Sequence, residues 1–403
     1  MKVAFLVDTL LKAGGGNTAI VSECNSIKKL LDKSIEVSFL TTSKETKNYL
    51  KRNFSEPIIF FNKSSLINKI YLFLIQSDFL KFLIKRTKLK NLLEKLLLKN
   101  SIDLLIFLAP SDLIFYVNNQ NFIYTVWEFQ HKNYPFFPEY KNIYFDIDTR
   151  DKTLKIASDK AFKIIVGTEK SKKDFVKYYL CDEDKIIVRP LKSSMTNIDL
   201  EENFIPNFVT RLKEKKINQY LFYPAQYWAH KNHKFIIDAF EKFSKENKSN
   251  IHCIFAGSDK GNLSYIKNLI NSKKLEDKIH INEYLTDEEI VYLYKNCYAV
   301  IVPTLVGSIS FPVIEGFFFQ KPVICGVKNI DEEYKKYILP LDFENPQSLQ
   351  ISMDFIKNNP NEIKSKILDA KSFFDKLYDD KKLSNQYIKM ISEFNYYNKM
   401  WKY

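Results

Sequence analysis

Glycine is scarce in this chain, with nine in 403 residues. Each one invites a local reason, because glycine alone reaches positive φ freely and lets backbone approach a ligand closely. Three are consecutive, Gly14-Gly15-Gly16, behind the strand-like Val3-Ala4-Phe5-Leu6-Val7; Gly257 ends another apolar run, and Gly307 and Gly316 lie in a third region. They form neither G-x-G-x-x-G nor a Walker loop, which argues against NAD and ATP folds. Cysteine is also sparse: Cys24, Cys181, Cys253, Cys297 and Cys325 are widely spaced, with no C-x-x-C pair. Buried reduced thiols are expected, not a disulfide frame or a metal cluster. No apolar run approaches the roughly 20 residues that span a bilayer. Met1-Lys2 leads directly into the first strand with no secretory leader, so a cytoplasmic protein is expected. Neither a Ser/His/Asp order nor H-E-x-x-H is present.

What is present is an alternation of β-like apolar runs with helical periodicity, the pattern of parallel α/β architecture. The expected strands are Val3–Val7, Ile35–Thr41, Asp103–Ala109, Phe122–Val126 and Lys163–Val166, then Tyr220–Pro224, Ile251–Ala256, Lys278–Ile281, Tyr298–Pro303 and Pro322–Cys325. The length exceeds one ordinary core. Two Rossmann-like domains are expected to face each other across a cleft, 1–190 and 218–379, joined by a linker over 191–217. A C-terminal helix, about 380–403, is expected to cross back to the first domain. The formal net charge is +13, which attracts nucleic acid, anionic lipid or an anionic substrate, or else reflects solvated lysines. No nucleic-acid motif accompanies it, and no nucleic-acid partner is expected. Residues 66–100 are dense in Leu, Ile, Phe and Lys. Such a segment can lie on an anionic membrane surface or pack on a core.

The most informative stretch is Pro303 to Val323. An apolar run empties into a small-residue loop, and Pro312 then opens a helical segment carrying Glu315. Unpaired amides and a helix start make an anion site, and a carboxylate just inside suits a ribose diol. Upstream, Tyr223-Pro224-Ala225-Gln226-Tyr227-Trp228-Ala229-His230-Lys231-Asn232-His233 places Lys231 at the start of an expected helix over Asn232–Phe243. A lysine there meets a diphosphate as a point charge, or is a solvent lysine at an ordinary helix start. Trp127-Glu128-Phe129-Gln130-His131 ends a strand of the first half. His131 there suits sugar hydroxyls, or is a satisfied core histidine.

Together these motifs resemble the retaining glycosyltransferases of the GT-B fold, family four, also called glycosyl transferases group one. The segments that carry the likeness are Glu128-Phe129-Gln130-His131, Ala225 to His233, and Gly307-Ser308-Ile309-Ser310-Phe311-Pro312-Val313-Ile314-Glu315. The likeness is strongest over about 219–327 and weak over 45–100. It implies that Lys231 holds the donor diphosphate, that Glu315 holds the ribose hydroxyls and that His131 contacts the transferred sugar. Gly15, Gly16, Gln226, Gly257, Gly307, Ser308 and Ser310 would line the donor site. It also implies retention of anomeric configuration and no metal or other cofactor, with a UDP- or GDP-linked sugar as donor. The acceptor, a glycan or lipid-linked hydroxyl, would be held by the first domain and the nucleotide-sugar donor by the second, and peripheral membrane contact would run through 66–100. Two positions depart from the wider family: Gly307 stands where its first glutamate stands, and Gln226 where it has an arginine. A non-catalytic nucleotide-sugar-binding partner is the alternative those departures motivate.

Overall fold

The structure, a computed structural model, describes residues 1–8, 15–28, 35–76, 91–141, 147–201, 204–206, 217, 219–245, 251–307, 310–326, 328 and 330–400. The chain divides into two compact units. One comprises Met1–Phe129, Tyr144–Leu191 and Asp380–Tyr403; the other comprises Gln130–Ile143 and Lys192–Asp379. Gln130–Ile143 thus groups with the second unit, although the sequence reading assigned it to the first. Gly14 and Ser308 lie outside the described residues.

The first unit is a seven-stranded parallel sheet in the order β3-β2-β1-β4-β5-β6-β7. Its strands are β1 (Lys2–Leu6), β2 (Glu36–Thr41), β3 (Ile58–Phe60), β4 (Leu104–Phe107), β5 (Asn121–Thr125), β6 (Lys163–Val166) and β7 (Ile186–Val188). Both faces are covered, so the central strands are unbroken apolar runs. Val3 and Phe5 pack towards Ile20, Cys24 and Ile27 of the helix Gly15–Lys28 and towards Tyr387, Met390, Ile391 and Phe394 of the last helix, Asp380–Asn398. Ala4 and Leu6, pointing the other way, join Leu93, Leu97, Leu154 and Phe175 from three further helices. The chain's final helix therefore completes one face of its first sheet. Arg189, just after β7, is wholly buried there and pairs through Nη1 with Glu23. The Tyr387 hydroxyl donates to Glu23 Oε2 at 2.8 Å, and the guanidinium carbon lies 4.4 Å from the Tyr387 ring centroid.

The second unit carries a six-stranded parallel sheet in the order β10-β9-β8-β11-β12-β13. The strands are β8 (Tyr220–Pro224), β9 (His252–Ala256), β10 (Ile279–Asn282), β11 (Ala299–Val302), β12 (Val323–Gly326) and β13 (Leu339–Leu341). β11, Ala-Val-Ile-Val, is buried at all four positions. Gly316, in the helix Phe311–Phe318, sits so close to β12 that a Cβ there would lie 2.5 Å from Val323 Cγ2. The expected linker is not free: Ser193 hydrogen-bonds to Glu315 within this unit.

β3, β7 and β13 are absent from the expected strands. Each has three residues and each is a sheet edge. Two consecutive helices, Pro360–Leu377 and Asp380–Asn398, belong to different units.

Candidate functional site

In the second sheet the chain runs outward from β8 through β9 to β10, then returns to place β11 on the other side of β8. Strand order reverses between β8 and β11, and open α/β sheets bind ligands outside the strand carboxyl ends at such a point. The loops that leave these two strands carry Lys231 and Gly307. The Leu305 amide donates to the His230 carbonyl at 2.9 Å, so the two loops are joined directly. Lys231 ends a short 3-10 turn, Ala229–Lys231, ahead of the helix His233–Lys245. Its carbonyl accepts from the Tyr223 hydroxyl at 2.7 Å, and Asn232 turns the chain in the left-handed region at φ 55°.

Gln226, at the position of the family's arginine, accepts at Oε1 from the Trp228 indole at 3.1 Å. Trp228 in turn stacks near His230, with centroids 6.4 Å apart. Gly257 permits the loop to lie where it does: a Cβ there would fall 2.3 Å from the Ala225 carbonyl oxygen.

Gly307 has φ +109°, a conformation L residues rarely adopt. A glutamate in that place would strain this backbone. Ser310 then caps the helix Phe311–Phe318 without any side-chain capping bond. Its Oγ is buried and has no hydrogen-bond partner among the described residues. Pro312 has no N–H and the Val313 amide already donates to the Ser310 carbonyl at 3.0 Å, so what the helix start offers an anion is its positive dipole end.

Glu315 is buried in the same helix. Ser193 Oγ donates to its Oε1 at 2.5 Å, and the Tyr294 hydroxyl donates to Oε2. Burial holds its carboxyl above the ordinary range, and these two hydrogen bonds oppose that shift. His131 is buried in a 3-10 turn, Gln130–Lys132, with its ring edge-on to Tyr140 at 6.2 Å. It belongs to the second unit, not to the first as the sequence reading had it.

Glu139 escaped the sequence reading. This buried carboxylate accepts at Oε1 from the His230 backbone amide at 3.1 Å and pairs with His230 Nδ1, one residue before Lys231. Burial pushes the Glu139 carboxyl up, but the bonds from His230 outweigh it and leave it below its usual value.

His233 follows the turn and is caged by Tyr223, Tyr227 and Phe255, with ring centroids 4.8, 4.8 and 5.0 Å away. Burial, then the Lys231 charge, lowers its pKa from 6.5 to about 3, partly opposed by the Ala225 backbone. The folded state thus favours neutral imidazole. That contribution is complete above pH 6.5 and is lost as pH falls towards 3, at about 1.4 kcal/mol per pH unit. His233→Phe is expected to flatten the fall in urea-unfolding free energy between pH 6 and pH 4; curves for the two proteins that stay parallel would show that the imidazole is not the sensor.

In the first unit, Gly15 and Gly16 open the helix behind β1. A Cβ on Gly16 would lie 2.6 Å from Trp127 Cζ3, so the indole covers that glycine. Trp127 Nε1 is buried without a partner among the described residues. Asp8, unremarked in the sequence, accepts from Ser111 Oγ at 2.6 Å and from Thr42 Oγ1. It ties the carboxyl ends of β1, β2 and β4, where the first sheet reverses its strand order. Among the described residues no group of three or more His, Cys, Asp or Glu could hold a metal ion.

The family model described as "Glycosyl transferases group 1" matches residues 205–365. No curated protein sequence matches the chain. Among solved structures, the chain is similar to HepE from Anabaena in complex with UDP (13% identity, TM-score 0.71, covering 98% of this chain and 100% of that one). HepE was also solved with UDP and glucose and with UDP-glucose. A glycosyltransferase from Rickettsia africae matches at 17% identity and TM-score 0.68, covering 98% of each chain. Sucrose-phosphate synthase from Thermosynechococcus elongatus matches at 12% and 0.70, covering 97% of this chain and 98% of that one. The two parallel sheets, their strand orders and these likenesses agree: this is a GT-B fold, whose residues 205–365 match the glycosyl transferases group 1 model.

Proposed function

We propose that the protein transfers a sugar from a nucleoside-diphosphate sugar, UDP- or GDP-linked, to a hydroxyl of a glycan or lipid-linked acceptor. We place the reaction in surface polysaccharide or lipopolysaccharide biosynthesis, with retention of configuration and no metal. The observation that carries this reading is the joining of the Lys231 turn to the loop before the uncapped helix start at Ser310, at the switch point of the second sheet. In the reaction the bond from anomeric carbon to diphosphate oxygen breaks and a bond to the acceptor oxygen forms on the same face. The acceptor proton passes to the departing phosphate. Lys231 and the positive end of the helix dipole hold the developing charge. Glu315 keeps a second lone pair on each oxygen for ribose hydroxyls. HepE's complexes with UDP and UDP-glucose support a nucleotide-sugar donor here.

A thermal-shift series with UDP-, GDP-, dTDP- and CMP-sugars tests the donor, because a ligand that binds only the native state raises its melting temperature. One nucleotide is expected to stabilise selectively, with turnover unchanged in EDTA. Selective stabilisation without transfer or donor hydrolysis, across an acceptor panel, would favour the non-catalytic partner that Gly307 motivates. No shift with any donor would remove both readings.

We further place the protein at the inner face of the membrane. The helix Leu66–Gln76 exposes Leu66, Ile67, Ile70 and Phe73, the last at 72%. Residues 77–90 of the basic segment lie outside the described residues, and no described helix is long and apolar enough to cross a membrane. Phe73→Asp is expected to weaken co-sedimentation with anionic phosphatidylglycerol vesicles about tenfold; unchanged binding would assign the apolar face another partner.

A further inference from the structure

Beside the Lys231 turn the second unit contains a cavity of about 860 Å³ whose wall includes Phe136, Phe137, Leu305, Leu339, Phe343 and Phe355. Its position relative to the reaction site is fixed by two contacts. The Phe137 ring lies edge-on to His230 with centroids 6.2 Å apart, and the Leu305 amide bonds to the His230 carbonyl. Two residues of the cavity wall, Phe137 and Leu305, therefore touch His230 in the turn that carries Lys231.

The wall offers little to a polar ligand. Ser348 Oγ donates to the Asp342 carbonyl at 3.2 Å and accepts from its amide at 3.0 Å. Ser352 Oγ donates to the Pro340 carbonyl at 3.1 Å. Both hydroxyls are thus turned onto backbone. Of the charged members of the lining, Lys328, Asp342, Glu344 and Glu362 are exposed, and half-buried Lys366 donates through Nζ to the Lys336 carbonyl at 2.8 Å. A nucleobase or sugar seated inside would leave its own donors and acceptors unpaired, at a cost of about 1–3 kcal/mol each. A hydrocarbon chain has none to satisfy. The volume lies within the range of small-molecule sites, about 300–1,000 Å³.

We propose that this cavity holds the hydrocarbon chain of a lipid acceptor, with the acceptor hydroxyl directed to the Lys231 turn. The proposal rests on the glycosyltransferase reading and narrows its acceptor from glycans or lipids to lipids. It also assigns acceptor recognition to side chains of the unit that carries the donor loops.

The test uses full-length protein with hexyl, octyl and decyl β-glucosides below their micellar concentrations, measuring Kd by calorimetry. Each added methylene is expected to lower Kd about fourfold. Ile351 and Phe136 line the cavity and are 63% and 62% exposed, so the fold tolerates a charge at either. Ile351→Asp and Phe136→Asp are each expected to raise the Kd of decyl glucoside about tenfold or more, with stabilisation by the nucleotide-sugar donor unchanged. Affinity independent of chain length overturns the proposal, as does decyl binding that ignores both substitutions. So does phenyl glucoside binding as tightly as decyl glucoside. If instead no nucleotide-sugar stabilises the protein while chain-length dependence persists, the transferase reading fails and the apolar site remains.

Discussion

Lys231→Ala is expected to lower the rate of sugar transfer about a hundredfold to a thousandfold, the loss typical when one preorganised donor to a developing negative charge is removed. The side chain is only partly buried, and the turn around it is held by backbone: the Leu305 amide on the His230 carbonyl, and the Tyr223 hydroxyl on the Lys231 carbonyl. The substitution should therefore leave the melting temperature near that of the wild type. Lys231→Arg should recover part of the rate, since a cation remains but its planar fork differs from a compact ammonium. The decisive comparison is kcat against KM. Leaving-group stabilisation acts in the transition state, so kcat should fall more than KM rises. Wild-type turnover in Lys231→Ala would remove the assignment, and an effect confined to KM would make Lys231 a ground-state contact only.

The second large effect is on stability. Arg189 and Glu23 are both buried, and Tyr387 joins them from the last helix. Removing one partner of a buried ion pair strands the other charge away from water, at about 3–5 kcal/mol. Glu23→Ala should cost that much in urea unfolding of the first unit. Arg189 Nε and Nη2 already have no partner among the described residues, so its desolvation is incompletely compensated even in the native protein. The double variant Glu23→Leu with Arg189→Met should therefore recover most of the loss, because hydrophobic replacement of a whole buried pair is often neutral or better. A loss below about 1 kcal/mol in the single variant would mean the pair behaves like a surface contact.

The two large effects fall on parts that were not equally legible in the sequence. β1, β4, β8 and β11 could be read as strands because burial on both faces writes each as one apolar run. Ile58–Phe60, Ile186–Val188 and Leu339–Leu341 could not: three residues are too few to establish a period, and a sheet edge needs less apolar surface. The placement of Lys231 and Gly307 on strand-end loops was legible because a strand end followed by a turn is local. Glu139 was not, because its meaning is a contact to His230, 91 residues away. Asp8 stood in plain view behind the first strand, yet its hydroxyl donors come from 34 and 103 residues off. Local pattern announced where the strand-end loops begin; what holds them in place is written in long-range pairs.

The last helix has a consequence for the order in which the protein is made. Tyr387 follows Glu23 by 364 residues, and at about 5–20 residues per second the ribosome needs roughly 20–70 s to travel between them. Until then one face of the first sheet, with Val3, Phe5 and Ile20, waits for Tyr387, Met390 and Phe394. The second unit's polypeptide, through Asp379, is already complete by that point. A nascent chain halted before residue 380 would thus present an unfinished apolar surface at its N-terminal end, the kind of surface chaperones bind. Val3 and Phe5 leave the ribosome long before the helix that covers them.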